Sequence, residues 1–373
     1  MNFTLSEEQE FLREAAQDAL SRVKTIEAAR EALEGGELPN LWLTACEAGW
    51  PGLVVSEEHG GAGLGPIEAM LVFEQMGRVL ASVALLGHVP ATFVLDAASG
   101  QDELIGRLAS GETRAAFVPA RPPDDQVSSW TVDPVFGSSR AAAPTVSSSG
   151  ALSGTVGWVP DAPGADVLVV VAVAEDGSPR AVLVEGLAVE ETWRYDATRS
   201  LGHVVLDGVQ GTLLEGVDEQ KLTNAFFLEW ALLAAESLGA TDRALEVALA
   251  YSKERFTFGR PIGSYQAVKH MLVEILRLAG NARSLMYYAG WAGNDSPEEF
   301  PLAAAAFRLA AGKALDDAGR TQISVHGGIG ATWEHDAPLY FRRAQLSRRL
   351  LGGTSDAADR VASVLFEQAR AAA

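Results

Sequence analysis

Cysteine is almost missing from this chain: Cys46 stands alone among 373 residues. A lone thiol excludes an intramolecular disulfide framework and suits a reducing, cytoplasmic setting. Long apolar runs are missing too, since none reaches the roughly 18 residues that span a bilayer. The opening stretch MNFTLSEEQEF lacks the basic and apolar segments of a secretory signal. The expectation is a cytoplasmic protein without membrane contact. Cations are scarce: 29 Lys and Arg face 49 Asp and Glu, a formal charge of −20. Repulsion on that scale argues against nucleic acid and anionic lipid as partners, and its ordinary consequence is a soluble surface. No internal repeat or heptad run occurs, and no metal site is expected. What is abundant is apolar: 48% of the residues are hydrophobic, enough for large cores in about two or three domains.

The first third has helical texture. Ser6 and Gln9 form a capping-box pair ahead of Phe11, Leu12, Ala15, Ala19 and Leu20, which predicts a helix over residues 3–33. A helical block follows at Leu41–Gly49. The glycines of Ser56–Gly63 mark a turn, and a further helix starts near Pro66 with Ala69, Met70, Phe73 and Met76 on one face. From about Arg114 the texture becomes β-rich, with runs at Thr155–Val159, Val167–Ala174, Ala181–Val184 and His203–Leu206 separated by turn residues. Between them, Gln126–Gly150 is a loop or a set of weak strands. After Asp218 the helical pattern returns in segments 222–253, 265–293 and 300–327. The expected fold is α+β, mostly α: an N-terminal helical domain (1–113), a middle antiparallel β-domain (114–217) and a C-terminal four-helix bundle (218–373).

Three segments carry chemistry: Tyr251–His270 (YSKERFTFGRPIGSYQAVKH), Val325–Arg343 (VHGGIGATWEHDAPLYFRR) and Leu350–Ser355 (LLGGTS). Forked cations and glycine loops suit a pyrophosphate, since they offer paired donors and close backbone approach. In this order and spacing the segments resemble the C-terminal domain of the acyl-CoA dehydrogenases. The turn at Ser56–Gly63 is similar to one in that family's N-terminal domain. The resemblance implies an FAD flavoprotein that oxidises an acyl-CoA thioester and passes electrons to an electron-transfer flavoprotein. It also implies that Arg255, Thr257, Phe258, Gln266, Gly327 and Gly328 reach the FAD of a neighbouring subunit, with Trp158 covering the flavin and Thr354 a further contact. The plain alternatives are a cation at a helix C-terminus for Arg255, core packing for Phe258 and a half-buried aromatic in a sheet for Trp158.

The chain also departs from the family pattern. The flavin loop is not recognisable at Ala115–Asp125, Pro160 stands at a hydroxyl position, and Ser324 stands where a glutamine is usual, with Gln322 on a different helix face. The common catalytic glutamate is replaced by Gly352. A minority of the family, the branched-chain and long-chain enzymes, place the base on the first long helix of the C-terminal domain. An ungapped count back from Phe258-Gly259 lands on Glu229, amid Phe226, Phe227, Leu228 and Trp230, the last where those enzymes often carry arginine. An acid in so apolar a run points to a base whose burial raises its pKa. The alternative is a polar stripe shared with Glu236, seven residues on. Two functions follow: an acyl-CoA dehydrogenase subunit with Glu229 as base, or a non-catalytic partner of an α2β2 assembly lending half an FAD site. The assembly is accordingly a homotetramer or a hetero-oligomer with a related chain.

Overall fold

The computed structural model describes residues 4–119, 131–132, 140–141, 143–192 and 195–371. The capping box forms as expected: Gln9 N donates to Ser6 Oγ (3.2 Å) and Ser6 N to Gln9 Oε1 (2.9 Å). It opens α1 (Glu7–Ser21). The single helix expected over 3–33 is two, because Lys24 leaves helical angles and the Thr25 hydroxyl donates to Val79 O (2.6 Å). α2 spans Thr25–Ala32, α3 Trp42–Glu47, α4 Pro66–Arg78, α5 Leu85–Leu95 and α6 Asp102–Ala109.

The middle of the chain holds a nine-stranded sheet among the described residues. Its strands are β1 (Ala115–Val118), β2 (Thr131–Val132), β3 (Arg140–Ala141), β4 (Thr145–Val146), β5 (Ala151–Pro160), β6 (Val167–Ala174), β7 (Pro179–Glu185), β8 (Leu201–Gln210) and β9 (Thr212–Leu213). The order is β3-β2-β5-β4-β6-β7-β9, with β8 on β5 and β1 on β6. The sheet is mixed where antiparallel pairing was expected: β1 and β4 each join β6 in parallel. Parallel strands need a long connection rather than a hairpin. The chain between Val118 and Val167 supplies one, so β1 leaves the N-terminal helices and enters the sheet beside β6.

Long helices follow: α7 (Glu219–Glu254), α8 (Gln266–Asp295), α9 (Phe300–His326), α10 (Ala337–Ser347) and α11 (Gly353–Ala371), with a small hairpin of β10 (Phe256–Thr257) and β11 (Arg260–Pro261) after α7. α7, α8 and α9 pack on one another, and α10 and α11 cover α9. α4 and α5 pack on α7. One core therefore runs from Met70 and Phe73 through Phe226, Phe227 and Trp230 to Met286, Phe307 and Leu351. The α4–α7 crossing depends on glycine: a Cβ at Gly77 would overlap Glu236 O, and one at Gly239 would overlap Glu74 O.

Candidate active site

The middle of α7 is enclosed on every side, with Phe226–Ala240 buried throughout. The polar-stripe alternative for Glu229 and Glu236 is thereby excluded, because no solvent face exists there; Glu229 is 0% exposed. The two acids have opposite fates. Glu236 receives both Arg199 Nη groups, one at 3.3 Å, and Arg343 stands 3.7 Å away. Arg343 in turn donates to Asp196 and to Thr198 Oγ1, each at 2.5 Å. Glu236 is thus a member of a buried, charge-balanced clip joining α7, α10 and the 196–199 turn. Neither carboxyl oxygen of Glu229 has a hydrogen-bond partner. Burial pushes its pKa well above the carboxylate range, and the nearby Asp161 charge pushes the same way.

Three aromatic residues, Phe226, Phe227 and Trp230, flank Glu229 along α7. Trp230 packs on Phe226 (5.0 Å) and Phe227 (5.5 Å), and its indole N–H donates to Leu351 O (3.0 Å). The tryptophan at the arginine position therefore ties α7 to the turn at Leu350–Gly352. Arg308, fully buried on α9, donates to Ser347 O and to Leu350 O (3.3 Å). The turn itself is left-handed at Leu351 (φ 53°), Gly352 (φ 82°) and Gly353 (φ 76°). A Cβ on Gly352 would overlap the Asp356 carboxylate, so a glutamate at this place would require Asp356 to move. Thr354 sets its methyl against α9, where a Cβ on Gly312 would overlap it.

At the sheet side, Trp158 is half-buried, left-handed (φ 60°) and edge-on to His203 (4.9 Å). It packs against the core that includes Phe226, Leu228 and Trp230 of α7. Asp161, one residue past the end of β5, is 6% exposed and escaped the sequence reasoning, since a Pro-Asp pair after a strand reads as a turn. Burial pushes its pKa up to about 6. Of the flavin loop, Ala115–Val118 is strand β1 and Ala120–Asp125 lies outside the described residues. Ser324 is exposed and its hydroxyl donates to Arg320 O (3.0 Å), while Gln322 is fully buried. The missing glutamine is not replaced at the surface.

The remaining sequence candidates meet elsewhere. Arg255 caps the C-terminus of α7 and is exposed. Thr257 and Phe258 follow on the hairpin, Phe258 being 94% exposed at φ 48°. Gln266 opens α8 and is also exposed. Tyr251 stacks on His326 (4.3 Å), which brings the end of α7 to the glycine loop. Gly327 is left-handed (φ 64°), and a Cβ on Gly327 or Gly328 would meet open space. These groups share one end of the bundle and face outward. Arg255 lies about 39 Å along α7 from Glu229 at the helical rise per residue. The two sets cannot both face one flavin ring within a single chain.

Comparison with known proteins identifies the family. The acyl-CoA dehydrogenase N-terminal domain family matches residues 6–112, and the C-terminal domain family residues 222–363. Acyl-CoA dehydrogenase IpdE2 of Mycolicibacterium smegmatis is 32% identical over 365 residues, covering 97% of this chain and 100% of the relative. A chain of a Tcur3481–Tcur3483 steroid ACAD variant superposes with a TM-score of 0.85 at 28% identity, covering 98% of this chain and 100% of the other. A chain of the ChsE4–ChsE5 complex from Mycobacterium tuberculosis gives 0.83 at 26% identity, covering 98% and 99%. This chain belongs to the acyl-CoA dehydrogenase family.

Proposed function

We propose that the chain is a subunit of an FAD-dependent acyl-CoA dehydrogenase, oxidising the α,β bond of an acyl-CoA thioester with Glu229 as the base. Electrons would then pass to an electron-transfer flavoprotein. The observation that carries the reading is the Glu229 carboxyl, fully buried without a hydrogen-bond partner. Folding alone has no use for such a group, which costs stability where it stands. FAD, when bound, supplies the hydride acceptor for carbon β. The residues here fit it in two halves. The outward half offers the Arg255 guanidinium and the open Gly327–Gly328 backbone. The inward half offers the Trp158 ring over the common core. Glu229 takes the proton from carbon α, and the apolar wall keeps water from competing for it.

The separation of the halves along α7 supports assembly with another chain, so that each outward half completes a neighbour's site. Both structural relatives above carry paired component names, which favours a related chain over a second copy. A second reading has its own support: Gly352, Ser324 and the closed surroundings of Glu229 also suit a partner that lends only the outward half-site. The flavin content of the chain, purified alone and then with a related chain, tests both. A ratio near one per chain fits a self-sufficient enzyme, and near one-half in a mixed complex fits the lender. No flavin in either preparation would sink both readings.

A further inference from the structure

Strand β5 carries an irregularity that no motif accounts for. Its ladder with β8 holds register to the Val156–Val204 pair and resumes at the Val159–Gly202 pair. Gly157 and Trp158 together therefore stand opposite His203. Two residues against one make a β-bulge, a device that re-aims a side chain, often beside a site. Trp158 takes φ 60° there without being glycine. A bulky residue keeps a left-handed backbone only where its surroundings enforce it.

His203 enforces it. Trp158 N donates to His203 Nδ1 (3.2 Å), a side-chain acceptor where a regular ladder would offer a carbonyl. The indole and imidazole rings also meet edge to face, their centroids 4.9 Å apart and their planes at 80°. One side chain thus touches both the backbone and the ring of Trp158. Along β8, Val204 and Leu206 belong to the core of the sheet, whereas Leu201 belongs to the helical core that Trp158 packs against. Alternation places half-buried His203 on the face of Leu201. Because Nδ1 accepts, the imidazole is neutral, with its proton on Nε2. Burial helps to keep it so by lowering its pKa. β8 packs chiefly on β5, which carries no charged residue. The nearest charges along the strands are Asp161 past the end of β5, Asp207 farther along β8, and Glu191, which bridges Gly202. Arg199, ahead of β8, is paired with Glu236.

We propose that His203 is a positioning residue for the flavin site, its Nδ1 fixing the β5 bulge that aims the Trp158 ring. The inference rests on the reading of Trp158 as the residue that covers the flavin, and adds the group that holds it in place. Pro160 supplies neither a hydroxyl nor an N–H at this end of β5, so the aim of the Trp158 ring matters more. Protonation of His203 turns Nδ1 from acceptor to donor. The Trp158 N–H then faces a second N–H, and the bulge loses its support.

Nuclear magnetic resonance of the full-length, flavin-free chain labelled with nitrogen-15 tryptophan reads the contact directly. The Trp158 backbone amide is the one lost in Trp158→Phe. In the wild type it should shift as pH falls, with a midpoint below the ordinary imidazole value of about 6.5. In His203→Asn, whose Oδ1 can stand where Nδ1 stood, the amide should stay protected from solvent exchange and lose that response. The loss separates His203 from Asp161, whose own pKa is about 6. In His203→Gln and His203→Leu, which leave no acceptor at that place, exchange should quicken about tenfold or more. Unchanged protection in His203→Leu overturns the inference. Where that variant does not fold, a wild-type Trp158 amide that ignores the His203 titration overturns it equally. In assembled enzyme, His203→Leu should weaken FAD binding about tenfold, the worth of one hydrogen bond, and His203→Asn should restore it. If the amide follows His203 but Trp158→Leu holds flavin like the wild type, the reading of Trp158 fails and takes the inference with it. If Trp158→Leu loses flavin while the amide ignores His203, the inference about His203 alone fails.

Discussion

Glu229 and Glu236 lie two turns apart on α7 and show what decides the fate of a buried acid. Glu236 is balanced by Arg199 and Arg343, and its removal leaves two buried cations with less compensation. Glu236→Ala should therefore destabilise the chain by about 3–5 kcal/mol, read from the midpoint of urea unfolding. Glu229 has no counter-charge, and the opposite result is expected. Glu229→Leu should stabilise by about 1–3 kcal/mol at neutral pH, the usual cost of burying an unpartnered polar group. The sign with pH follows from the raised pKa. The folded chain keeps its proton after the unfolded chain has released it, so wild-type stability falls as pH rises above the ordinary carboxylate range. The advantage of Glu229→Leu should be smaller near pH 4 and grow toward pH 8. An equal advantage at both would place the carboxyl in water.

At the scale of elements, the long helices were legible because their periodicity ends at strong breakers. The segments 222–253, 265–293 and 300–327 became Glu219–Glu254, Gln266–Asp295 and Phe300–His326. Helix α5 left no such signature, because nearly all of Leu85–Leu95 is buried and an all-round apolar segment has no polar face to mark its period. The parallel pairing of β1 and β4 with β6 was illegible for another reason: it is set by where distant segments meet, not by local pattern. The same limit hid the burial of Glu236. Spacing put it on the face of Glu229, but only α4, α5 and α9 closing over α7 decide that this face is interior. Helix contacts also separate the glycines. Gly239→Ala would drive a methyl into Glu74 O at the α4–α7 crossing and should cost about 1–3 kcal/mol. Gly280→Ala on α8 meets open space and should gain about 0.5–1 kcal/mol. Denaturant midpoints that move together for the two would contradict the crossing geometry.

Across the whole molecule, the sequence resemblance led to the family and to Glu229, and the fold adds the separation of the two sets of site residues. The outward set sits with exposed apolar side chains, among them Phe256, Ile329 and Trp333, the last 73% exposed. An apolar surface of this kind is what an interface leaves when one chain is viewed alone. In the assembled enzyme, Arg255→Ala removes a charge-assisted contact and should weaken FAD binding by about 1.5–3 kcal/mol, roughly tenfold to a hundredfold, without lowering the melting point of the isolated chain. Unchanged flavin retention on dilution would remove Arg255 from the cofactor site. The central claim, that this chain houses the base of an acyl-CoA dehydrogenase, is tested most directly by anaerobic bleaching of bound FAD with acyl-CoA in the assembled enzyme, wild type against Glu229→Gln. The account predicts rapid bleaching of the wild type and none in the variant at equal flavin content. Bleaching of Glu229→Gln at the wild-type rate would contradict it.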